Sequence, residues 1–160
     1  MGKEDLREAT TKDAAKVVAL INEAYLPAEG FLYEGPRIDA DEVHAKLAKG
    51  AFLLKPNTLG ALDGCVYVEV RGEIGYFGLL AVSTARQHHG LGRRLVSSAE
   101  SFFKARGCSE VEIDVVNHRL ELFPFYGGLG YHVVGQRPFE DQRLTQPSHF
   151  VIMRKTLHPT

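Results

Sequence analysis

The residues best placed to do chemistry are Gln87-His88-His89-Gly90-Leu91-Gly92-Arg93-Arg94. They follow an apolar run, residues 75–82, that reads as a buried strand, and they lead into a strongly periodic helix over residues 93–106. A turn from strand into helix presents backbone amides without intrahelical partners at the positive end of a helix dipole. Gly90 and Gly92 let the backbone approach a ligand with no Cβ in the way. This is the pattern of an anion site, suited to a phosphate and above all to a pyrophosphate. His88 and His89 are read as giving backbone amides rather than rings. Arg93 and Arg94 are either phosphate ligands or solvent-facing residues. Two cations at a helix start oppose the dipole, which favours the ligand role.

Other phosphate signatures fail. A dinucleotide fingerprint needs a third glycine, and that position holds Leu95. A Walker loop needs Gly-Lys-Ser/Thr, and Gly92 is followed by Arg93. The 7 histidines are scattered without ligand spacing, so no metal is expected. Cys65 and Cys108 lack a CxxC spacing and read as small buried, reduced residues.

Downstream stand a strand ending in Asn117 and the run Phe125-Tyr126-Gly127-Gly128-Leu129-Gly130-Tyr131. Together these segments resemble the GNAT superfamily of N-acetyltransferases. Val82, Gln87, Gly90 and Gly92 fit its V-x-x-x-x-[RQ]-x-x-G-x-[GA] run, and Phe125, Tyr126, Gly130 and Tyr131 its F-Y-x-x-x-G-[FY] run. The likeness extends to the opening Arg7-Glu8-Ala9-Thr10-Thr11-Lys12-Asp13-Ala14 and covers essentially the whole chain.

The resemblance implies acetyl-coenzyme A as donor, with its pyrophosphate in the 87–92 turn. It implies that Leu80, Ala81 and Val82 pair with the pantetheine arm, and that a backbone N–H near Leu80 faces the thioester oxygen. It implies that Tyr126 is the general acid for the departing thiolate, and that Asn117 meets the cofactor. Relatives place that asparagine seven residues before the tyrosine, whereas Asn117 is nine before it and Arg119 holds the seventh position. Relatives also carry a glutamate fourteen residues before the glycine of the turn, and here that position is Tyr76. Glu73 and Asp114 are the remaining carboxylate candidates for the base. The loops after the first helix and before the last strand would border the acceptor, supplying Tyr25, Phe31 and Tyr33, with His149 beside the closing strand. Aromatic rings with acids (Glu34, Glu140, Asp141) suit a cationic amine.

The elements that must hold these residues are legible from periodicity and caps. A strand is expected over residues 6–10. A helix capped by Thr10 or Thr11 carries Ala14, Val17, Val18, Ile21, Ala24 and Tyr25 on one face and ends at Pro27. A second helix starts at Asp39, with Glu42 as capping-box partner, and closes at Gly50. Strands follow over residues 51–55, 61–71 and 74–82, the last two joined by a Gly72-Glu73 hairpin. After the 93–106 helix come a strand over 110–116, a short helix over 120–126 bent at Pro124, and strands over 131–134 and 150–154. The order argues for an α/β (α+β) fold. With the resemblance, this is a mixed, mainly antiparallel sheet of about six or seven strands with about four helices on both faces.

Composition sets the class. The chain has 160 residues, 44% hydrophobic and 24% charged, as expected of one soluble domain. A net charge of −1 argues against a nucleic-acid partner. Met1-Gly2-Lys3-Glu4-Asp5 lacks the apolar core of a leader, Leu6 spoils a myristoylation pattern, and no run reaches membrane length. A cytoplasmic location is expected. The expected activity is direct transfer of acetyl to a primary amine of a small molecule or peptide, and the resemblance also allows a homodimer. Two alternatives stay open: a non-catalytic acyl-coenzyme A sensor, and an acyltransferase with another acyl group or acceptor.

Overall fold

The computed structural model describes residues 6–158; residues 1–5, on which the leader and myristoylation readings fall, lie outside it. The strands are β1 (Arg7–Glu8), β2 (Ala51–Pro56), β3 (Leu62–Arg71), β4 (Ile74–Val82), β5 (Glu110–Val116), β6 (His132–Pro138) and β7 (His149–Thr156). The α-helices are α1 (Ala14–Glu29), α2 (Ala40–Leu47), α3 (Leu91–Ala105) and α4 (Leu122–Gly128). The strands form one sheet in the order β1-β2-β3-β4-β5-β7-β6. Every pairing is antiparallel except β4 with β5.

Alternation distributes the core between two faces. Val66, Val68, Phe77, Val111, Ile113 and Val115 pack with Leu95, Val96, Ala99 and Phe103 of α3. Phe52, Leu54, Cys65 and Tyr67 pack with Val17, Leu20 and Ile21 of α1 and Val43 of α2. Both cysteines are free and buried, and burial pushes the Cys65 thiol up to about 12.

Two features of β4 open the sheet. The parallel ladder to β5 runs only through Ile74↔Glu110, Gly75↔Val111 and Tyr76↔Glu112. Beyond that, β4 carries a bulge against β3: Tyr67 faces Gly78 but Cys65 faces Ala81. Leu79 sits there at φ 50°, left-handed backbone that costs a leucine about 1–2 kcal/mol. The extra residue reverses the alternation. Phe77 points to the α3 side, Leu79 and Ala81 to the α1 side, and Leu80 and Val82 back to the α3 side.

Several boundaries differ from the sequence expectation. Pro27 does not end α1, which continues to Glu29. Proline removes only its own N–H, and the ladder resumes with the Gly30 N–H on the Leu26 carbonyl. Pro124 does not bend α4 from within, because it is the third residue of a helix that begins at Leu122, where an amide has no partner to lose. Gly50 lies beyond the α2 cap, Ala48. The first helical turn bears a reciprocal capping box, Thr10 with Asp13, and Arg7 grips the same carboxylate at 2.8 and 2.9 Å.

Candidate active site

The turn between β4 and α3 is built from backbone. Gly90 is the N-cap of α3 at φ 83°, and no side chain caps the helix. The amides of the first turn are therefore left for a ligand. His88 is also left-handed, at φ 69°, so two left-handed residues curl the chain around one spot. A Cβ on Gly90 would meet nothing within 4 Å, so the site is open. The Gln87 amide donates to the Val82 carbonyl at 3.0 Å, pinning the turn to the strand end. From α1, Glu23 accepts from both the Thr84 N–H and hydroxyl at 2.9 Å.

A groove of about 530 Å³ runs from this turn along the splayed strand. Leu80, Ala81, Val82, Gln87, His88, Gly90, Leu91, Gly92 and Arg93, all assigned to the cofactor by the sequence reading, line it opposite Tyr25, Pro27 and Ala28 of α1. His89 and Arg94 are exposed and outside its walls. A second cavity, of about 140 Å³, lies deeper between β4 and β5. Tyr25, Leu80, Arg119 and Leu122 border both, so the two spaces adjoin.

Tyr126 lies in the wall of this inner cavity, 6% exposed, on α4. Its hydroxyl has no hydrogen-bond partner among the described residues. Burial raises its pKa well above the usual phenol value, so it is a neutral donor at physiological pH. Tyr25, Tyr33 and Tyr76 line the same cavity, each likewise raised by burial, Tyr33 to about 12.

Of the two carboxylates considered as base, only Asp114 reaches the cavity. Its side chain is 6% exposed, Arg137 holds Oδ2, and Oδ1 is buried without a partner. Burial raises its pKa, outweighing the lowering by Arg137. Tyr76 reaches toward it across Gly78, where a Cβ would come within 2.7 Å of the tyrosine hydroxyl. Glu73 is not in the site: it is exposed at the β3–β4 hairpin, and its carbonyl accepts from the Ser109 N–H at 2.8 Å. A hairpin tip lies at the closed end of the sheet, where β4 and β5 still pair.

Three further expectations move away from the cavities. Asn117 lines neither, because its Oδ1 accepts from the His149 N–H and its own N–H reaches the His149 carbonyl, both at 2.9 Å. Those bonds close the β5–β7 seam and leave His149 outside the walls too. Phe31 is 54% exposed, its ring against His118.

A pair that sequence reasoning missed occupies the junction. Glu29, 5% exposed at the end of α1, accepts from Arg119 at 2.5 Å. Burial lowers the Arg119 pKa, but the carboxylates of Glu121 and Glu29 outweigh that effect and raise it. The signal was present: Arg119 holds the position where relatives carry asparagine. Its partner lies 90 residues away, so the pairing was not legible. Among the described residues no group of His, Cys, Asp and Glu is arranged to hold a metal, and no helix is long and apolar enough to cross a membrane.

Comparison with known proteins agrees with this architecture. The chain superposes on smu.2055 from Streptococcus mutans UA159 with a TM-score of 0.77 at 21% identity, covering 96% of this chain and 99% of that one. It superposes on the ribosomal-protein-S18-alanine N-acetyltransferase of Escherichia coli with a TM-score of 0.76 at 15% identity, covering 97% and 94%. It also superposes on the PaiA N-acetyltransferase of Thermoplasma acidophilum, solved in complex with coenzyme A, with a TM-score of 0.76 at 17% identity, covering 95% and 98%. No curated protein matches. A family model described as the acetyltransferase (GNAT) family matches residues 17–131, most of the sheet together with both motif runs, and the chain belongs to that family.

Proposed function

We propose that this protein is an acetyl-coenzyme A-dependent N-acetyltransferase that moves acetyl to a primary amine by direct attack in a ternary complex. The observation that carries the reading is the opening of the sheet after Tyr76↔Glu112, which sets the open amide turn at Gly90 and the buried Tyr126 on two adjoining spaces that share Tyr25, Leu80, Arg119 and Leu122. The residues present fit the cofactor. The first-turn amides of α3 would take the pyrophosphate, with Arg93 beside them, and the bulged strand at Leu79–Leu80 would offer backbone groups to the amide-rich arm. The bound donor supplies an activated thioester.

The chain's own groups then have defined tasks. An amine with pKa near 10 is mostly protonated at neutral pH, and freeing it costs roughly 4–5 kcal/mol. Asp114 Oδ1 takes that proton directly or through water; its raised pKa makes it a stronger base than an exposed aspartate. The nitrogen forms its bond to the acetyl carbon as the carbon–sulfur bond breaks, and an N–H near Leu80 faces the developing oxyanion. The Tyr126 hydroxyl donates its hydrogen to the departing sulfur, and the second proton of the attacking nitrogen returns to the tyrosinate, leaving amide, free thiol and protonated Asp114. No cysteine lines the cavities, which supports direct transfer over a covalent acyl-enzyme.

The test is release of free thiol from acetyl-coenzyme A across a panel of primary amines, with donor affinity measured calorimetrically alongside. Turnover of at least one amine is expected. Tight donor binding with no turnover of any amine would replace this reading with that of an acyl-coenzyme A sensor.

A further inference from the structure

The described residues leave three buried side-chain polar atoms without a hydrogen-bond partner: Tyr33 Oη, Arg37 Nε and Asp114 Oδ1. All three belong to residues that line the inner cavity. An unmade buried hydrogen bond costs about 1–3 kcal/mol, so their clustering in one space marks a place where a ligand supplies the missing partners.

Their chemistry is complementary to one kind of molecule. Arg37 Nε can only donate, and the Tyr33 hydroxyl is a neutral donor in a residue 7% exposed. Asp114 Oδ1, ionised, can only accept. Arg37 makes no ion pair among the described residues; its guanidinium is held instead against the rings of Tyr25 and Tyr33, 5.6 and 5.3 Å from their centres. Arg119, the other arginine of the cavity, is already paired with Glu29. Lys46 adds a second cation at the wall, over the Tyr67 ring and without an ion pair among the described residues. The cavity therefore has two cations without a carboxylate partner at one part of its wall and one free carboxylate oxygen at another.

Resting on the transferase reading of this same cavity, we infer that the acceptor is a small zwitterionic amine, an amino acid-like molecule. Its carboxylate is bound by Arg37 and Tyr33, and its amine is received at Asp114. A peptide N-terminus or a lysine side chain presents an amine with no carboxylate nearby and leaves Arg37 unpaired. A planar guanidinium fits a carboxylate, and its place over two rings holds it there before the acceptor arrives. Enclosure in about 140 Å³ favours a molecule of that size over a folded partner.

The experiment compares thiol release from acetyl-coenzyme A with the standard amino acids, β-alanine and γ-aminobutyrate against their carboxamides and decarboxylated amines. For the best acid, kcat/KM should exceed that of its carboxamide by about 10²-fold. Arg37→Met and Tyr33→Phe should each reduce that ratio at least tenfold, with coenzyme A affinity unmoved. Equal use of acid and carboxamide by the wild type overturns the inference, as does a ratio unmoved in both variants. If no amine turns over, the coenzyme A-loaded protein is titrated calorimetrically with the same pairs. Binding of an acid but not its carboxamide, lost in Arg37→Met, upholds the anion pocket and removes the transferase reading alone. Absence of binding by every acid overturns the pocket itself.

Discussion

The outer groove and the inner cavity are built on different principles. The groove's anion end comes from one continuous stretch, residues 80–93, and depends mostly on backbone: amides at a helix start, a left-handed glycine, a carbonyl pinned by Gln87. The inner cavity draws on side chains from α1, the segment after it, α2, β4, β5 and α4. Backbone geometry tolerates most side chains, so a site of the first kind depends little on which residues surround it. A side-chain cavity changes with each substitution, and on the proposed reading it would set which acceptor enters. Arg119 and Leu122 stand where the two meet, and Tyr126 lies just inside, in the inner wall.

The largest effect is expected beside that junction. Tyr126→Phe should lower kcat by roughly 10²–10³-fold with coenzyme A affinity kept, as measured by thiol release and calorimetry. An unchanged kcat in a folded variant removes the proton-donor role. Next comes the inner cavity. Asp114→Asn should cost roughly 10²-fold in kcat/KM and abolish the acidic limb of its pH profile. The sign follows from burial: a raised pKa means that the basic form is lost as pH falls through a value above the ordinary aspartate range. A limb that persists in the variant assigns the titration to another group.

Glu29→Ala tests what ties the halves together. Arg119 would lose its buried partner while keeping Glu121 at 2.8 Å, so a loss of about 2 kcal/mol is expected in denaturant unfolding. Gly90→Glu acts on the groove alone. A charged residue with a Cβ in left-handed backbone, beside the anion site, should weaken coenzyme A binding at least tenfold. Selectivity among amines should be unaffected, and altered selectivity would show that the halves are not separable. The smallest effect belongs to neither half. Thr10→Ala removes a helix cap worth about 1 kcal/mol, lowering Tm by a few degrees and leaving donor affinity unmoved.

The parts that were readable share a physical basis. The helix α3 was visible because Leu95, Val96, Ala99 and Phe103 repeat at helical spacing, and all are buried. The β3–β4 hairpin followed from Gly72-Glu73, and strict alternation along residues 110–116 puts Asp114 on the side of β5 away from Val111, Ile113 and Val115, which lie in the α3-side core. The bulge was not readable, since leucine rarely signals positive φ and Leu79 is held there by its surroundings. The surroundings of Asn117 were not readable either, since spacing along the chain did not reveal that its side chain is taken up by the His149 backbone.

By itself, then, the sequence determined the donor end. Motif order and glycine placement specify a turn whose chemistry is local, made within a few residues of chain. Only the tertiary structure decided the inner cavity. It set Glu29 against Arg119, gathered Tyr33, Arg37 and Asp114 around one space, and excluded Glu73. Those groupings depend on how α1, the segment after it and β5 pack over a splayed sheet, and such contacts between distant segments leave no periodic trace in the chain.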